Sequence, residues 1–383
     1  MVDGFLERLR RGIDHEYSAA ITLSLGVVAA VAWSALWPHA YFTLTTTSTT
    51  SAWARRFDAT SMHQFVIDGL MTVFFYSIGL ELRREIQSRD PGHARLAITP
   101  VTGALGGMIA TALLSVALGE LWHNGALLRG WGVPMATDVA FTLGALALLG
   151  RRLPNTLYLF VLTLAIGDDV LSVIVLLFTG ATRLAAWWIL GAGSVLVLSW
   201  FLGRRARSTI VSVTTLLALW FCFSQAHLEP ALAGVAAGAL VAANTSTHAR
   251  LERSATRLSS MLALPLFGLV AVGLHWSNVH FSGPTGTVIG ATILIRLVGK
   301  TLGISGGVFL AMRLGFPLPH GVTRTMLVAV ATLCAMGLTV PLLFADRLFG
   351  SASVTYAAFS LGLLIATGLA GLLGFMILKV TSR

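Results

Sequence analysis

Apolar stretches of about twenty residues recur from one end of this chain to the other, and a helix of that length crosses the hydrocarbon core of a bilayer. The composition agrees, because 56% of the 383 residues are hydrophobic, only 11% are charged, and the mean hydropathy is +0.81. A soluble domain carries about 25% charged residues. The sequence therefore predicts an all-α polytopic membrane protein.

The hydropathy pattern predicts about twelve transmembrane helices. They lie near residues 18–37, 63–80, 96–119, 131–150, 156–179, 184–203, 208–226, 230–244, 257–275, 286–311, 324–345 and 354–378. The first follows a basic N-terminal segment but is too long for the apolar part of a typical signal peptide, so we expect a true span. Segment 38–62, rich in Ser and Thr, is predicted to be a loop. The spacing of Gly234 with Gly238, and of Gly303 with Gly307, predicts close helix packing.

The basic residues predict the orientation of the chain. If the N-terminus is cytoplasmic, most of the 26 Lys and Arg residues fall in cytoplasmic loops, as the positive-inside rule requires. Both termini are then cytoplasmic. The net charge of +10 is explained by Arg residues beside the membrane, and we predict no nucleic-acid partner. Cys222 and Cys334 lie in apolar stretches, which predicts buried thiols without a disulfide or a resident metal.

Two adjacent carboxylates, Asp168 and Asp169, lie in the middle of the apolar run 157–179. Each charge at the membrane centre costs roughly 2.5–3.5 kcal/mol on insertion scales. Like charges in contact also resist ionising together, so the pair is expected to share protons. Successive helical residues point about 100° apart, which allows one carboxylate to face a cavity while its neighbour faces another helix. The alternative is that the pair has only a structural role, through polar contacts with neighbouring helices.

Other polar residues within predicted spans are candidates for the same site. Thr137 and Asp138 follow Pro134, which disfavours a continuous helix, so a hydroxyl and a carboxylate would lie beside freed carbonyls. Asp138 could equally cap a half-helix. Lys300, one of only two lysines, could release a proton when buried, or form a static ion pair. Arg296, four residues earlier, is expected to partner an acid or to snorkel.

Further ionisable residues lie nearer the ends of spans. Asp68 is predicted to make a structural polar contact. Glu81, Arg83, Arg84 and Glu85 form a charged cluster at the inner end of the second span, where a solvated helix end is the alternative. His227 and Glu229 precede Pro230 in a tight turn. His227 is expected to be a surface turn residue, and pH sensing is the alternative.

Several of these residues fall in segments that resemble the NhaA family of bacterial Na+/H+ antiporters over nearly the whole chain. The matching segments are Asp68-Gly-Leu-Met-Thr-Val-Phe-Phe, Gly79-Leu-Glu-Leu-Arg-Arg-Glu85, Ala136-Thr-Asp-Val-Ala-Phe-Thr-Leu-Gly-Ala-Leu-Ala-Leu-Leu-Gly150, Ala165-Ile-Gly-Asp-Asp169 and Gly299-Lys-Thr-Leu-Gly-Ile304. The resemblance implies a single transmembrane domain, 1–383, with inverted repeats near 96–179 and 286–378. It also implies crossing, interrupted helices at the fourth and eleventh spans, the latter near Gly337-Leu338-Thr339.

The resemblance also implies roles for residues. Asp169 is the expected main cation ligand and Asp168 the partner of Lys300, so the two carboxylates form the expected site for the transported Na+. Thr137 and Asp138 are expected to steady the site and balance the charges of helix ends. The positions associated with a cytoplasmic pH response are Glu81, Arg84, Glu85 and Glu252. Two positions depart from the family pattern: Glu229 stands where a His is frequent, and Arg296 where an apolar residue is expected.

The expected function is export of Na+ and Li+ from the cytoplasm in exchange for external protons, electrogenic and pH-regulated, without a cofactor. The expected location is the bacterial inner membrane, and the family's dimers make a homodimer one expected assembly. An alternative is a related-fold carrier of an organic anion with Na+. A less favoured one is an intramembrane aspartyl protease, whose Gly-x-Gly-Asp motif is incomplete at Ala165-Ile166-Gly167-Asp168.

Overall fold

A computed structural model describes residues 2–47, 61–87, 91–149, 153–179, 185–206, 208–241, 245–276 and 281–381. Within these ranges every regular element is helical. The fold class predicted from the sequence, an all-α polytopic membrane protein, is confirmed.

The helices of the first half are α1 (Val2–Leu36), α2 (Pro38–Thr46), α3 (Met71–Gln87), α4 (Pro91–Leu121), α5 (Gly125–Arg129), α6 (Val139–Leu149) and α7 (Asn155–Thr179). Those of the second half are α8 (Ala186–Ala206), α9 (Thr209–Gln225), α10 (Leu232–Leu240), α11 (Ser246–Leu258), α12 (Leu264–Ala271), α13 (Gly283–Leu294), α14 (Thr301–Arg313), α15 (Arg324–Leu333), α16 (Thr339–Phe349) and α17 (Val354–Thr381). Wider π-helical turns lead into α3, α12 and α14, at Phe65–Leu70, Ser259–Ala263 and Ile295–Lys300.

Within the described residues, 7 helical segments are long and apolar enough to cross a membrane. They are Tyr17–Leu36, Met62–Arg84, Ala97–Leu121, Asn155–Leu177, Ser246–Ala271, Gly283–Arg313 and Val354–Thr381. Most of the remaining predicted spans correspond to shorter apolar helices: Val139–Leu149, Ala186–Phe201, Thr209–Gln225 and Arg324–Leu333.

Four predicted elements differ from the structure, and one of them, the span 324–345, is interrupted at 334–338. The predicted span 131–150 is helical only from Val139, because Pro134 and the glycines before it favour turns. The predicted span 230–244 contains the short helix α10 (Leu232–Leu240). The prediction of a loop over 38–62 is wrong for Pro38–Thr46, which forms α2 with Pro38 at its first turn, a position that suits proline. Residues 48–60 of that segment lie outside the described residues.

The chain divides into two compact units. Unit 1 contains residues 1–21, 90–172 and 274–383. In it α4 packs along α14, and both α13 and α15 pack along α17. Its interior is apolar and includes Leu164, Ile304 and Val330. Most of both segments predicted as inverted repeats falls in this unit, while the repeat relation and the single-domain organisation stay predictions.

Unit 2 contains residues 22–89 and 173–273. Here α10 packs on α3 and α8 packs on α9, around an interior that includes Tyr76, Leu219 and Ala233.

The predicted close packing at glycines is confirmed in both units. A Cβ added at Gly238 of α10 would lie 2.8 Å from the backbone nitrogen of Leu80 in α3. A Cβ at Gly303 of α14 would lie 2.6 Å from the Cβ of Ala110 in α4. Small residues therefore let these helix backbones touch, which is a main source of helix association in a membrane.

Candidate functional site: two interrupted helices over a carboxylate pair

The first interruption lies between α5 and α6. The chain turns at Gly130 and Gly132, whose carbonyls accept from Val133 N at 2.9 Å and Met135 N at 3.3 Å, and then runs extended to Asp138. Pro134 has no N–H to donate to a helix. Some backbone N–H and C=O groups of this segment therefore make no helical hydrogen bond and need other partners inside unit 1.

The second interruption spans residues 334–338, between α15 and α16. The sequence predicted a break at Gly337-Leu338-Thr339. The observed break begins earlier, at Cys334, and Thr339 is already the first residue of α16. Thr367 of α17 anchors the segment, since its hydroxyl accepts from Gly337 N at 3.2 Å.

The two interruptions pair with each other through their backbones. Asp138 N donates to Met336 O at 3.1 Å, and the Thr137 hydroxyl donates to Cys334 O at 2.8 Å. A Cβ at Gly337 would lie 2.9 Å from Ala136 O, so only glycine allows this approach. These segments, 131–138 and 334–338, are called the crossing below.

Asp138 lies at the start of both half-helices that leave the crossing. Its carboxylate accepts from the Thr339 hydroxyl at 3.2 Å and from the N–H groups of Leu338, Thr339 and Ala140. It therefore caps α6 and α16 together, where a negative charge offsets two positive helix ends. Capping, which the sequence left open as an alternative for Asp138, is present.

The carboxylate pair lies near the middle of α7. Asp168 is 0% exposed and accepts on both oxygens: Lys300 Nζ lies 2.6 Å from Oδ1, and Thr137 N lies 2.5 Å from Oδ2. Asp169 is 2% exposed. Unit 1 thus brings together Thr137, Asp138, Asp168, Asp169 and Lys300, which lie up to 163 positions apart in the 383-residue sequence (300 − 137).

Arg296 lies in the π-helical turn before α14 and is 0% exposed. Its guanidinium donates to the carbonyls of Ala335 at 2.7 Å, Ala136 at 2.8 Å and Pro134 at 3.3 Å. Its charge interacts with Asp168 and Asp138, as expected of a partner for an acid, but the expectation that Arg296 snorkels is wrong. The local reason is the crossing, which exposes carbonyls that no helix satisfies.

The predicted regulatory residues that the structure describes come together in unit 2. Arg84 Nη1 lies 2.5 Å from Glu252 Oε1, and Arg84 Nη2 lies 3.6 Å from Glu81 Oε1. His248 joins them, with Nδ1 3.6 Å from Glu252 Oε2 and Nε2 3.1 Å from Leu80 O. Glu85 is on α3, but its side chain lies outside the described part of the chain.

The remaining candidates also lie in unit 2. Asp68 is half-buried, and its backbone carbonyl accepts from Trp220 Nε1 and the Thr72 hydroxyl, both at 2.6 Å. His227 is exposed, as expected of a surface turn. Glu229, in the same turn, is only 5% exposed. The apolar neighbours Pro230 and Ala231 are buried with it.

Four residues of these clusters were missed or misjudged by sequence reasoning: Thr339, Thr367, His248 and Arg296. His248 had a readable signal, because it lies four residues before Glu252 on one helix. Thr339 and Thr367 had none, since their partners are distant in sequence.

An all-helical membrane unit in which two broken helices meet beside buried ionisable groups has the architecture of a secondary transporter. The model of the family described as Na+/H+ antiporter 1 matches residues 10–378, and the chain belongs to this family. The protein is therefore a multi-pass membrane transporter and not an enzyme.

Named relatives are 33–36% identical to the chain over the aligned residues. The Na(+)/H(+) antiporter NhaA of Serratia proteamaculans is 35% identical over 83% of this chain and 83% of its own length. NhaA 2 of Novosphingobium aromaticivorans is 33% identical over 92% of this chain and 89% of its own. NhaA of Nocardia farcinica is 36% identical over 73% of this chain and 69% of its own.

Proposed function

We propose that the protein exchanges cytoplasmic Na+ or Li+ for external protons across the bacterial inner membrane, with both termini in the cytoplasm. The observation that carries the proposal is the buried pair Asp168–Asp169 beside Lys300, at the crossing of two interrupted helices. Small hard cations prefer oxygen ligands, and broken helices in transporters present such ligands at mid-membrane. The names of the relatives support the two ions.

The two carboxylates are suited to different tasks. Both oxygens of Asp168 already accept hydrogen bonds, from Lys300 and Thr137. A cation that reached Asp168 would have to share these oxygens with the two donors. We therefore assign the first contact with Na+ to Asp169, with Asp168 joining when its pairing changes. Proton and cation then compete for one pair of acids.

Lys300 couples the two ions. When Asp168 takes a proton or a cation, the buried ammonium group loses its compensating charge, which is costly in a low-dielectric interior. Release of the Lys300 proton removes that cost. This allows more than one proton to be exchanged for each cation, so the exchange is electrogenic and responds to the membrane potential.

The experiment is transport by the purified protein in proteoliposomes. An imposed pH gradient drives 22Na+ flux in the wild type. A membrane potential of one sign increases the rate of this flux, and a potential of the opposite sign decreases it. Asp169→Asn reduces the flux to the level of empty liposomes, because the neutral amide cannot bind a cation in exchange for a proton.

Asp346→Asn is the matched control, since it makes the same change at a half-buried carboxylate of α16 outside the crossing. It keeps at least about half of the wild-type rate, as expected for a substitution away from the site. A wild-type protein that moves no Na+ under a pH gradient would overturn antiport. A gradient-driven organic anion flux would favour the related-fold carrier instead.

We also propose that the protein forms a homodimer and that it holds no resident cofactor. Its pH response is proposed to act through the Arg84–Glu252 cluster.

A further inference from the structure

The peptide group between Ala136 and Thr137 lies between two buried charges of opposite sign. Its carbonyl oxygen accepts from Arg296 Nη1 at 2.8 Å. Its N–H donates to Asp168 Oδ2 at 2.5 Å. In a planar trans peptide these two groups point in opposite directions, so the guanidinium, the peptide dipole and the carboxylate form one aligned series.

This alignment strengthens both hydrogen bonds. A donor or acceptor that carries a full charge makes a stronger bond than a neutral one, and bonds in series polarise each other in a low-dielectric interior. Arg296 therefore acts on Asp168 although the two side chains are not directly paired.

One helical segment holds Asp168 in two ways. Lys300 contacts Oδ1 directly at 2.6 Å, and Arg296, on the same π-helical turn, reaches Oδ2 through the Ala136–Thr137 peptide. Arg296 also binds Ala335 O, so the same guanidinium ties the first interruption to the second. Unusual helical turns of this kind occur frequently at functional sites.

We propose that Arg296 is a positioning residue: it fixes the Ala136–Thr137 peptide against Asp168 and keeps a permanent positive charge behind the acidic pair. This deepens the proposed antiport function and depends on it. Lys300 can lose its proton during exchange, whereas a guanidinium stays charged. Arg296 then prevents the buried acids from being left without any cation nearby.

The charge of Arg296 is expected to set the pH at which Na+ displaces protons. The titratable and charged groups that interact with it in unit 1 are Asp138, Asp168, Lys300 and Cys334. Without the guanidinium the acidic groups hold protons more tightly, and exchange needs a more alkaline medium.

The test compares three substitutions at Arg296 in proteoliposomes, with rates measured against pH and Na+ concentration. Arg296→Lys keeps the charge but loses the planar fork that spans both interruptions, so the maximal rate falls about tenfold while the pH profile stays within about 0.3 unit of the wild type. Arg296→Met loses the charge as well, and its pH profile moves to alkaline values by about one unit or more. Arg296→Gln, neutral but able to donate, replaces the Met variant if that variant does not fold.

Arg313→Lys and Arg313→Met are the matched controls, because Arg313 is exposed at the end of α14. Both are expected to behave as the wild type. A neutral substitution at Arg296 that leaves the pH profile unchanged overturns the role of its charge, and an Arg296→Lys variant at the wild-type rate overturns the positioning role.

A second measurement separates this inference from the transport function. The thermal stability of purified Arg296→Lys, Asp168→Asn and the double variant forms a cycle that needs no transport. Coupled effects support the connection through the peptide even if the wild type moves no Na+. Strictly additive effects contradict it.

Discussion

Asp168 and Lys300 form a buried ion pair, since both side chains are 0% exposed. Such a pair contributes little net stability, but removing one partner leaves a buried charge alone. The surrounding bonds, above all that from Thr137 N, hold the carboxylate in one orientation. At this scale the site is a set of charges whose balance changes whenever a proton or a cation arrives.

Lys300→Met is expected to destabilise the protein, because it leaves the buried carboxylate of Asp168 without its direct partner. Removing one partner of a buried ion pair costs about 3–5 kcal/mol, which thermal unfolding in detergent measures. Adding Asp168→Asn should recover most of the loss, and a Lys300→Met variant as stable as the wild type would contradict the account.

His248 and Glu252 are expected to shape the pH response through unit 2. Glu252 accepts from Arg84 and lies beside His248, so a substitution at either residue changes the charges and contacts of the cluster. We compare the transport rate at about pH 8.5 with the rate at about pH 6.5. Glu252→Gln and His248→Gln should each reduce the ratio of the first rate to the second by about threefold or more. Arg253→Gln, on the exposed face of the same helix, is the control. Ratios equal to that of the wild type would remove the cluster from regulation.

At the scale of elements, the crossing depends on two helices that stop and restart. Asp138 caps α6 and α16 at once, and Thr367 holds the second interruption against α17. Gly337 lets the two interruptions touch, because it lies against Ala136 O and the Arg296 guanidinium. The ion site is therefore built on elements whose ends are fixed by side-chain hydrogen bonds.

Gly337→Ala is expected to disturb the crossing. The added methyl would lie 2.6 Å from Arg296 Nη2 and 2.9 Å from Ala136 O, so backbone or guanidinium must shift. Overpacking of this kind costs about 1–3 kcal/mol, seen as a lower unfolding temperature with reduced transport. Gly306→Ala on α14 is the control, since its Cβ meets nothing within 4 Å. Equal stability of the two variants would mean that the two interruptions can move apart at Gly337 without loss of stability.

At the scale of the whole molecule, hydropathy predicted the helical membrane architecture because a bilayer imposes one length on every span. The same rule failed to predict the structure of 131–150 and 324–345. In both segments part of the chain is not helical, and its backbone groups form hydrogen bonds across the crossing. Asp168, Asp169 and Lys300 were identifiable because charge in an apolar run is costly. The sequence could not predict that Arg296 donates to three backbone carbonyls, because the residues that carry them are distant in sequence and meet Arg296 only in the folded protein.

The central claim is that Na+ and protons compete for the carboxylates of Asp168 and Asp169. The most direct measurement is 22Na+ binding to the purified protein in weak buffer, with released protons counted, over a range of pH. We predict that Na+ releases protons and that its apparent Kd rises about tenfold or more for each unit of decreasing pH, while Asp169→Asn neither binds Na+ nor releases protons. Na+ binding that is independent of pH, or that persists in Asp169→Asn, would contradict the claim.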